Sequence, residues 1–298
     1  MSPLFALVRG ALSATSAIAP DLAGRLAFEL FRRVPPRGKV RPAELPVHQA
    51  AEVDRMTVAG REVRLYRWGT GDRPVLLVHG WQSRASRFAG LIDELQATGR
   101  SAIAFDAPGH GDSEGNTTTV VEYHEIIAAL HRRYGDFEAV VGHSFGVLCS
   151  FYALRAGVRA DRIVGISGVG DFDYLVAEFG RMLSLRPEVT ARIRTHIEKR
   201  LFPELVDVWE KFQVWHRPES VPGELLFLHD DDDQRTPPEH SLRMATTFGD
   251  RARLVTSRGL GHSRIVADPT TVRTIMDFLT RAPGGITKPA EEDQVRAR

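Results

Sequence analysis

Ala139-Val140-Val141-Gly142-His143-Ser144-Phe145-Gly146-Val147-Leu148 passes from an apolar run into a helical pattern through a G-x-S-x-G pentapeptide. In isolation the pentapeptide says little. Its setting says more, because an extended segment (139–141) precedes it and a helical pattern (145–156) follows. That is the strand–turn–helix context of a nucleophile elbow. Flanking glycines suit a turn too tight for side chains, and the following helix aims its N-terminal N–H groups at the serine. A phosphate-binding loop would carry Lys-Ser/Thr after its last glycine, where Val147-Leu148 stand. Ser144 is the candidate nucleophile.

Outward from the elbow, strands and helices alternate. Residues 74–79 (PVLLVH) are a continuous apolar run, the mark of a strand buried on both faces. Phe88, Leu91, Ile92 and Leu95 follow at helical spacing, and Gly99 closes that helix. A strand at 101–105, a helix at 120–134 and a strand at 162–166 continue the pattern. Upstream, 56–58 and 63–68 flank Ala59-Gly60-Arg61 as a hairpin. Downstream, a strand at 225–229, a helix near 238–248, a strand at 253–256 and a helix through Val272, Ile275, Met276 and Leu279 complete it. Such alternation implies right-handed crossovers and a mostly parallel central sheet flanked by helices, an α/β class. Between Gly170 and Gly223 only helical patterns occur, over 172–183, 187–201 and about 204–215. The expected organisation is an N-terminal helical segment (1–40), an α/β core (50–169 and 223–281), a helical insert (170–222) and a mobile tail (282–298).

Composition excludes several classes. The chain has 298 residues, 43% hydrophobic and 26% charged, with 39 Lys+Arg against 38 Asp+Glu. This is a globular balance able to bury a sizeable core, and a net charge of +1 argues against a nucleic-acid partner. The single cysteine, Cys149, forms no internal disulfide and no cysteine metal cluster, and reads as a small buried residue. No Walker loop, H-E-x-x-H or G-x-G-x-x-G after a strand is present, so neither metal nor organic cofactor is expected. At the N-terminus, Arg9 lies inside the apolar stretch rather than before it, unlike a secretory signal. Leu4, Leu7, Val8, Leu22, Leu26, Phe28, Leu30 and Phe31 instead read as a helix that packs on the body, with contact to a membrane surface as the alternative. A cytoplasmic location is expected.

A serine hydroxyl needs a base. His262 follows the last strand, where a loop would reach the same sheet edge as Ser144. A carboxylate should hold the imidazole, and Asp230-Asp231-Asp232-Asp233 after the strand at 225–229 gives four candidates. Most of such a run is expected to be solvated or ion-binding. The chain order Ser, Asp, His departs from the chymotrypsin and subtilisin orders. Oxyanion donors are expected from the backbone N–H groups of Phe145 and Trp81, the latter after Gly80 permits close approach.

Together these motifs resemble those of the α/β-hydrolase superfamily, over about residues 53–279. Val78-His79-Gly80-Trp81 is similar to its H-G oxyanion loop, and residues 105–113 (FDAPGHGDS) to its D-x-x-G-x-G-x-S loop. Residues 229–237 (HDDDDQRTP) resemble its H-G-x-x-D-x-x-V-P acid loop, with Asp230 in place of the usual glycine and Thr236 in place of valine. Aligned on His229 and Pro237, the resemblance puts the carboxylate at Asp233. It also implies that 170–222 is a cap over the site. Phe172, Tyr174, Leu175, Phe179, Met182 and Leu183 are then candidate pocket or packing residues, with His79, Phe179 and Met182 chosen for the substrate pocket. Arg181, Arg186, Arg192, Arg194, Lys199 and Arg200 make that cap basic.

The resemblance implies a serine hydrolase acting on a small carboxylic ester. Ser144 at the elbow speaks against the aspartate nucleophiles of haloalkane dehalogenases and epoxide hydrolases. The same triad on a thioester, lactone or carbon–carbon bond, or an acyl transferase, is the alternative, and a non-enzymatic binding protein is a third reading. Oligomeric state is not legible.

Overall fold

The computed structural model describes residues 3–34 and 36–281; the tail expected at 282–298 lies outside them. Among the described residues a sheet of eight strands runs in the order β1-β2-β4-β3-β5-β6-β7-β8. The strands are β1 Glu52–Val58, β2 Arg61–Trp68, β3 Val75–Val78, β4 Ala102–Asp106, β5 Phe137–His143, β6 Ala160–Ile166, β7 Glu224–Asp230 and β8 Ala252–Ser257. From β4 to β8 all neighbours are parallel; only β2 runs against its neighbours, β1 and β4. The sheet is thus mostly parallel, as read from the alternation. Ala59 and Gly60 make the β1–β2 turn, both at positive φ, the mark of the tight hairpin turns that match strand twist.

The central strands are apolar throughout because both their faces are covered. In β3, Leu76 and Val78 join one core, and Val75 and Leu77 the opposite one. The first core takes α5 (Val120–Tyr134) and α6 (Phe145–Arg155); the second takes α4 (Ala89–Ala97) and α12 (Pro269–Thr280).

The N-terminal segment forms two helices, not the single one expected. They are α1 (Pro3–Ile18) and α2 (Pro20–Phe31), parted at Ala19, whose φ and ψ of −139° and 73° are not helical. Pro20 explains the break, since it disfavours helical backbone at the residue before it and fits the first turn of a new helix. Ala23, Gly24, Ala27 and Phe28 are buried. Asp21 pairs with Arg192 at 2.6 Å, and the Phe28 ring lies 5.3 Å from that of His196. A short helix α3 (Leu45–Gln49), absent from the sequence reading, follows. Among the described residues no helix is long and apolar enough to cross a membrane.

Between β6 and β7 lie α7 (Phe172–Met182), α8 (Pro187–His196) and α9 (Val208–Lys211). The helix expected over 204–215 is reduced to the four residues of α9. The reason is a competing pairing: Gln213 bridges Asp171, and the N–H groups of Phe172 and Val214 donate to Phe212 and Gly170 carbonyls at 3.2 and 2.8 Å. Asp207, at φ +56°, starts the short turn. After β7 come α10 (Glu239–Phe248) and, beyond β8, α11 (Gly261–Arg264).

Candidate active site

Ser144 sits between β5 and α6 at φ +56° and ψ −121°, a backbone state rarely adopted by a side-chain-bearing residue. The strain is held from both sides. Ser144 N–H donates to Ile166 O at 2.9 Å, and the N–H groups of Val147 and Val169 donate to Ser144 O at 3.1 Å each. Glycine is required at 146 because an added Cβ would lie 2.2 Å from Val78 O. At Gly80 a Cβ would come within 2.7 Å of Ser144 Cβ, so the loop after β3 presses directly on the serine.

Three side chains, each from the segment after a different parallel strand (β5, β7 and β8), meet at one edge of the sheet. His262, on α11, stands with Nε2 2.9 Å from Ser144 Oγ. Its Nδ1 lies 2.8 Å from Asp233 Oδ2. With the carboxylate able only to accept, Nδ1 carries the proton and Nε2 is free to accept from the hydroxyl. Asp233 is buried, and its Oδ1 accepts from the N–H groups of Arg235 and Thr236 at 2.8 and 3.0 Å. Burial pushes its carboxyl up. The bonds from His229 and His262, the nearby imidazole and the Thr236 N–H outweigh that and hold it well below the usual carboxylate range. His229 is fixed in turn, donating from Nε2 to Thr236 O at 2.9 Å and accepting at Nδ1 from Ser241 Oγ at 2.6 Å.

Phe145 begins α6, so its N–H has no acceptor within the helix. The Trp81 ring packs edge-on against Phe145 and His110, 5.7 Å from each. Beneath it, two buried histidines frame the loop. His79 donates from Nδ1 to Gly80 O at 2.7 Å and accepts at Nε2 from Ala107 N–H at 3.0 Å. His110 donates to Pro108 O at 3.1 Å and accepts from Gln82 N–H at 3.1 Å. Burial pushes His79 down to about 4 and His110 to about 3, so both stay neutral.

The three residues chosen for the substrate pocket are not brought together. His79 is wholly buried under the loop. Phe179 packs edge-on to Phe31 of α2, 5.3 Å between ring centres. Met182, at the end of α7, is 53% exposed. Of the other residues in that group, Tyr174 reaches the acid loop, its hydroxyl donating to Arg235 O at 2.7 Å.

Sequence reasoning also missed how the base is held. His143 is buried and its Nε2 donates to His262 O at 2.9 Å. Its place beside the elbow serine was visible, but nothing in the sequence marked that partner. Of the four aspartates, Asp231 and Asp232 are exposed and Asp230 and Asp233 are buried, and each has a partner within the protein. Asp230 accepts from Ser257, Leu260 and Gly261, Asp231 pairs with Arg258, Asp232 accepts from Gly259 N–H, and Asp233 holds His262. Among the described residues no group of three or more His, Cys, Asp or Glu side chains could hold a metal ion.

A model of the alpha/beta hydrolase family matches residues 75–276. A serine hydrolase-like protein of Danio rerio is 32% identical over 110 residues, covering 34% of this chain and 32% of that protein. A probable serine hydrolase of Drosophila melanogaster is 30% identical over 112 residues, covering 35% and 33%. The chain thus spans about a third of the length of these curated relatives. Similar solved structures include the mouse alpha/beta hydrolase domain-containing protein 10, with TM-score 0.60, 18% identity and coverage of 77% of this chain and 97% of that one. An esterase of Pyrococcus furiosus gives TM-score 0.61 and 20% identity, covering 85% and 99%. A monoacylglycerol lipase of Paleococcus ferrophilus gives 0.56 and 24%, covering 76% and 98%. At such identities these structures speak to the fold alone.

Proposed function

Since the chain belongs to the alpha/beta hydrolase family, we infer that it is a serine hydrolase that cleaves a carboxylic ester through an acyl-enzyme. The observation that carries this reading is the relay from Ser144 Oγ to His262 Nε2 at 2.9 Å and from His262 Nδ1 to Asp233 Oδ2 at 2.8 Å. It joins the nucleophile, base and orienting acid required for acyl transfer.

His262 takes the Ser144 proton as Oγ attacks the ester carbonyl. The oxyanion that forms is stabilised by the N–H groups of Phe145 and Trp81. Asp233 keeps the imidazole in the accepting tautomer and stabilises the imidazolium. His262 then passes its proton to the departing alcohol, and the tetrahedral centre collapses to the Ser144 ester. Water, deprotonated by His262, releases the acid and restores the serine.

The test is hydrolysis of p-nitrophenyl esters from acetate to laurate by wild type beside Ser144→Ala. Loss of the nucleophile should cost on the order of 10⁶-fold in kcat with the fold intact by circular dichroism. Ester turnover by pure Ser144→Ala near the wild-type rate sinks the reading. Matched thioester substrates distinguish the oxygen ester from its sulfur counterpart.

A further inference from the structure

We propose that Asp230 is a positioning residue for His262: its buried carboxylate grips the loop that carries the imidazole. The proposal rests on the serine-hydrolase reading of Ser144. Asp230 ends β7 and its side chain is wholly buried. Oδ1 accepts from the N–H groups of Gly261 at 2.9 Å and Asp232 at 3.1 Å. Oδ2 accepts from Ser257 Oγ at 2.7 Å and Leu260 N–H at 3.1 Å. Three of these donors belong to residues 257–261, immediately before the base.

This grip extends the sheet beyond its last paired residues. The β7–β8 ladder ends with Asp230 opposite Ser257, where strand pairing would otherwise leave the base loop free. The Asp231 N–H donates to Ser257 O at 2.8 Å, and the Asp232 carboxylate takes Gly259 N–H at 2.9 Å. A glycine at this position would offer none of these acceptors. The consequence is geometric first. A base misplaced by about 1 Å can cost on the order of 10²-fold in rate.

The consequence is also electrostatic. Burial pushes the Asp230 carboxyl up. The bonds from Ser257 and from the Gly261, Leu260 and Asp232 N–H groups outweigh that and bring it below the ordinary value, so it is ionised at neutral pH. Among the described residues it makes no ion pair, so its charge is not cancelled locally. The ionised carboxylate strengthens the hydrogen bonds that hold residues 257–261. The other groups around His262 are Asp233 at Nδ1, with His229 behind it, and His143, kept neutral by burial. Arg264 lies on the carbonyls of Leu260 and Gly259, and Arg258 is paired with Asp231 at 3.0 Å.

The test measures p-nitrophenyl acetate hydrolysis and fluorophosphonate labelling across about pH 5 to 9. Asp230→Asn should lower kcat roughly 10- to 100-fold and leave KM nearly unchanged. Fluorophosphonate labelling should slow by a similar factor, because a misplaced base activates Ser144 less well. A purely structural role would lower the melting temperature without slowing the labelling of folded protein. Ser257→Ala removes one donor and keeps the carboxylate, so labelling should slow a few-fold. If wild type itself is not labelled, the hydrolase reading falls and this proposal with it. If wild type is labelled and Asp230→Asn matches it in rate, the proposal alone is overturned. Should Asp230→Asn fail to fold, unchanged labelling in Ser257→Ala overturns it.

Discussion

The imidazole of His143, next to the elbow serine, donates a hydrogen bond to the backbone carbonyl of His262, 2.9 Å away and 119 residues along the chain. The candidate nucleophile and base are thus tied by main chain and side chain as well as by their own contact. His143→Ala leaves that carbonyl without its donor and opens a gap beside the base. It should lower kcat roughly tenfold through misplacement of the imidazole. His143→Gln, which keeps an N–H donor on a similar reach, should recover most of the loss. Equal activity in both variants and wild type would show the tie to be idle.

Asp233→Asn keeps the shape of the acid but offers an amide N–H₂ or a neutral oxygen to His262 Nδ1. The imidazole then settles in the wrong tautomer. On the proposed mechanism, kcat should fall on the order of 10⁴-fold, with KM for p-nitrophenyl acetate little altered. Retention of more than a tenth of wild-type kcat would remove Asp233 from the relay.

Acid should destabilise the fold well before the carboxylates titrate. His79, His110 and His143 are pushed by burial from the ordinary 6.5 to about 4, 3 and 3. Between those values the unfolded chain binds protons that the folded chain refuses. Stability therefore declines as pH falls below 6.5, by about 1.4 kcal/mol per pH unit for each histidine. Asp233, depressed when folded, adds its own loss only as pH falls below the ordinary carboxylate value of 3.8. Urea midpoints measured from about pH 7.5 to 5 should decline steadily below pH 6.5; a flat profile contradicts the buried neutral histidines.

Gly146→Ala places a methyl 2.2 Å from Val78 O, on backbone that cannot swing aside. The elbow and β3 must part, at a cost of about 3 kcal/mol. Calorimetry should show a lower melting temperature for Gly146→Ala, whereas Ser144→Ala should melt close to wild type.

The sheet was legible in the sequence because strands covered on both faces are unbroken apolar runs, such as 74–79, and because Gly-x-Ser-x-Gly stands where one of them meets a helix. Ser144 and His262 could be named because each follows the end of a strand on one sheet edge, whereas Asp233 was singled out from four aspartates by the resemblance of residues 229–237 to a family acid loop. What escaped the reading has partners in the main chain. A run of aspartates looks solvated by composition, and Asp231 and Asp232 are exposed, but the run also finds partners in N–H groups at 257–261 and the side chains of Ser257, Arg258 and His262. The helix at 204–215 gave way to a bridge between Asp171 and Gln213, a pairing that no local periodicity records. The pocket residues failed for a related reason, since Phe179 turns to Phe31 of a helix far away in the chain.

The docking of α2 on α8 has a bearing on how the protein is made. Asp21 and its partner Arg192 are 171 residues apart. At ribosomal speeds of about 5–20 residues per second, roughly 10–30 s pass between the emergence of the two. During that interval the face carrying Ala23, Ala27 and Phe28 lacks α8, where Phe28 later meets His196. The nascent chain therefore carries a sticky amphipathic segment through most of its synthesis. Burying it is a late step of assembly, completed only after the elbow and its strands already exist.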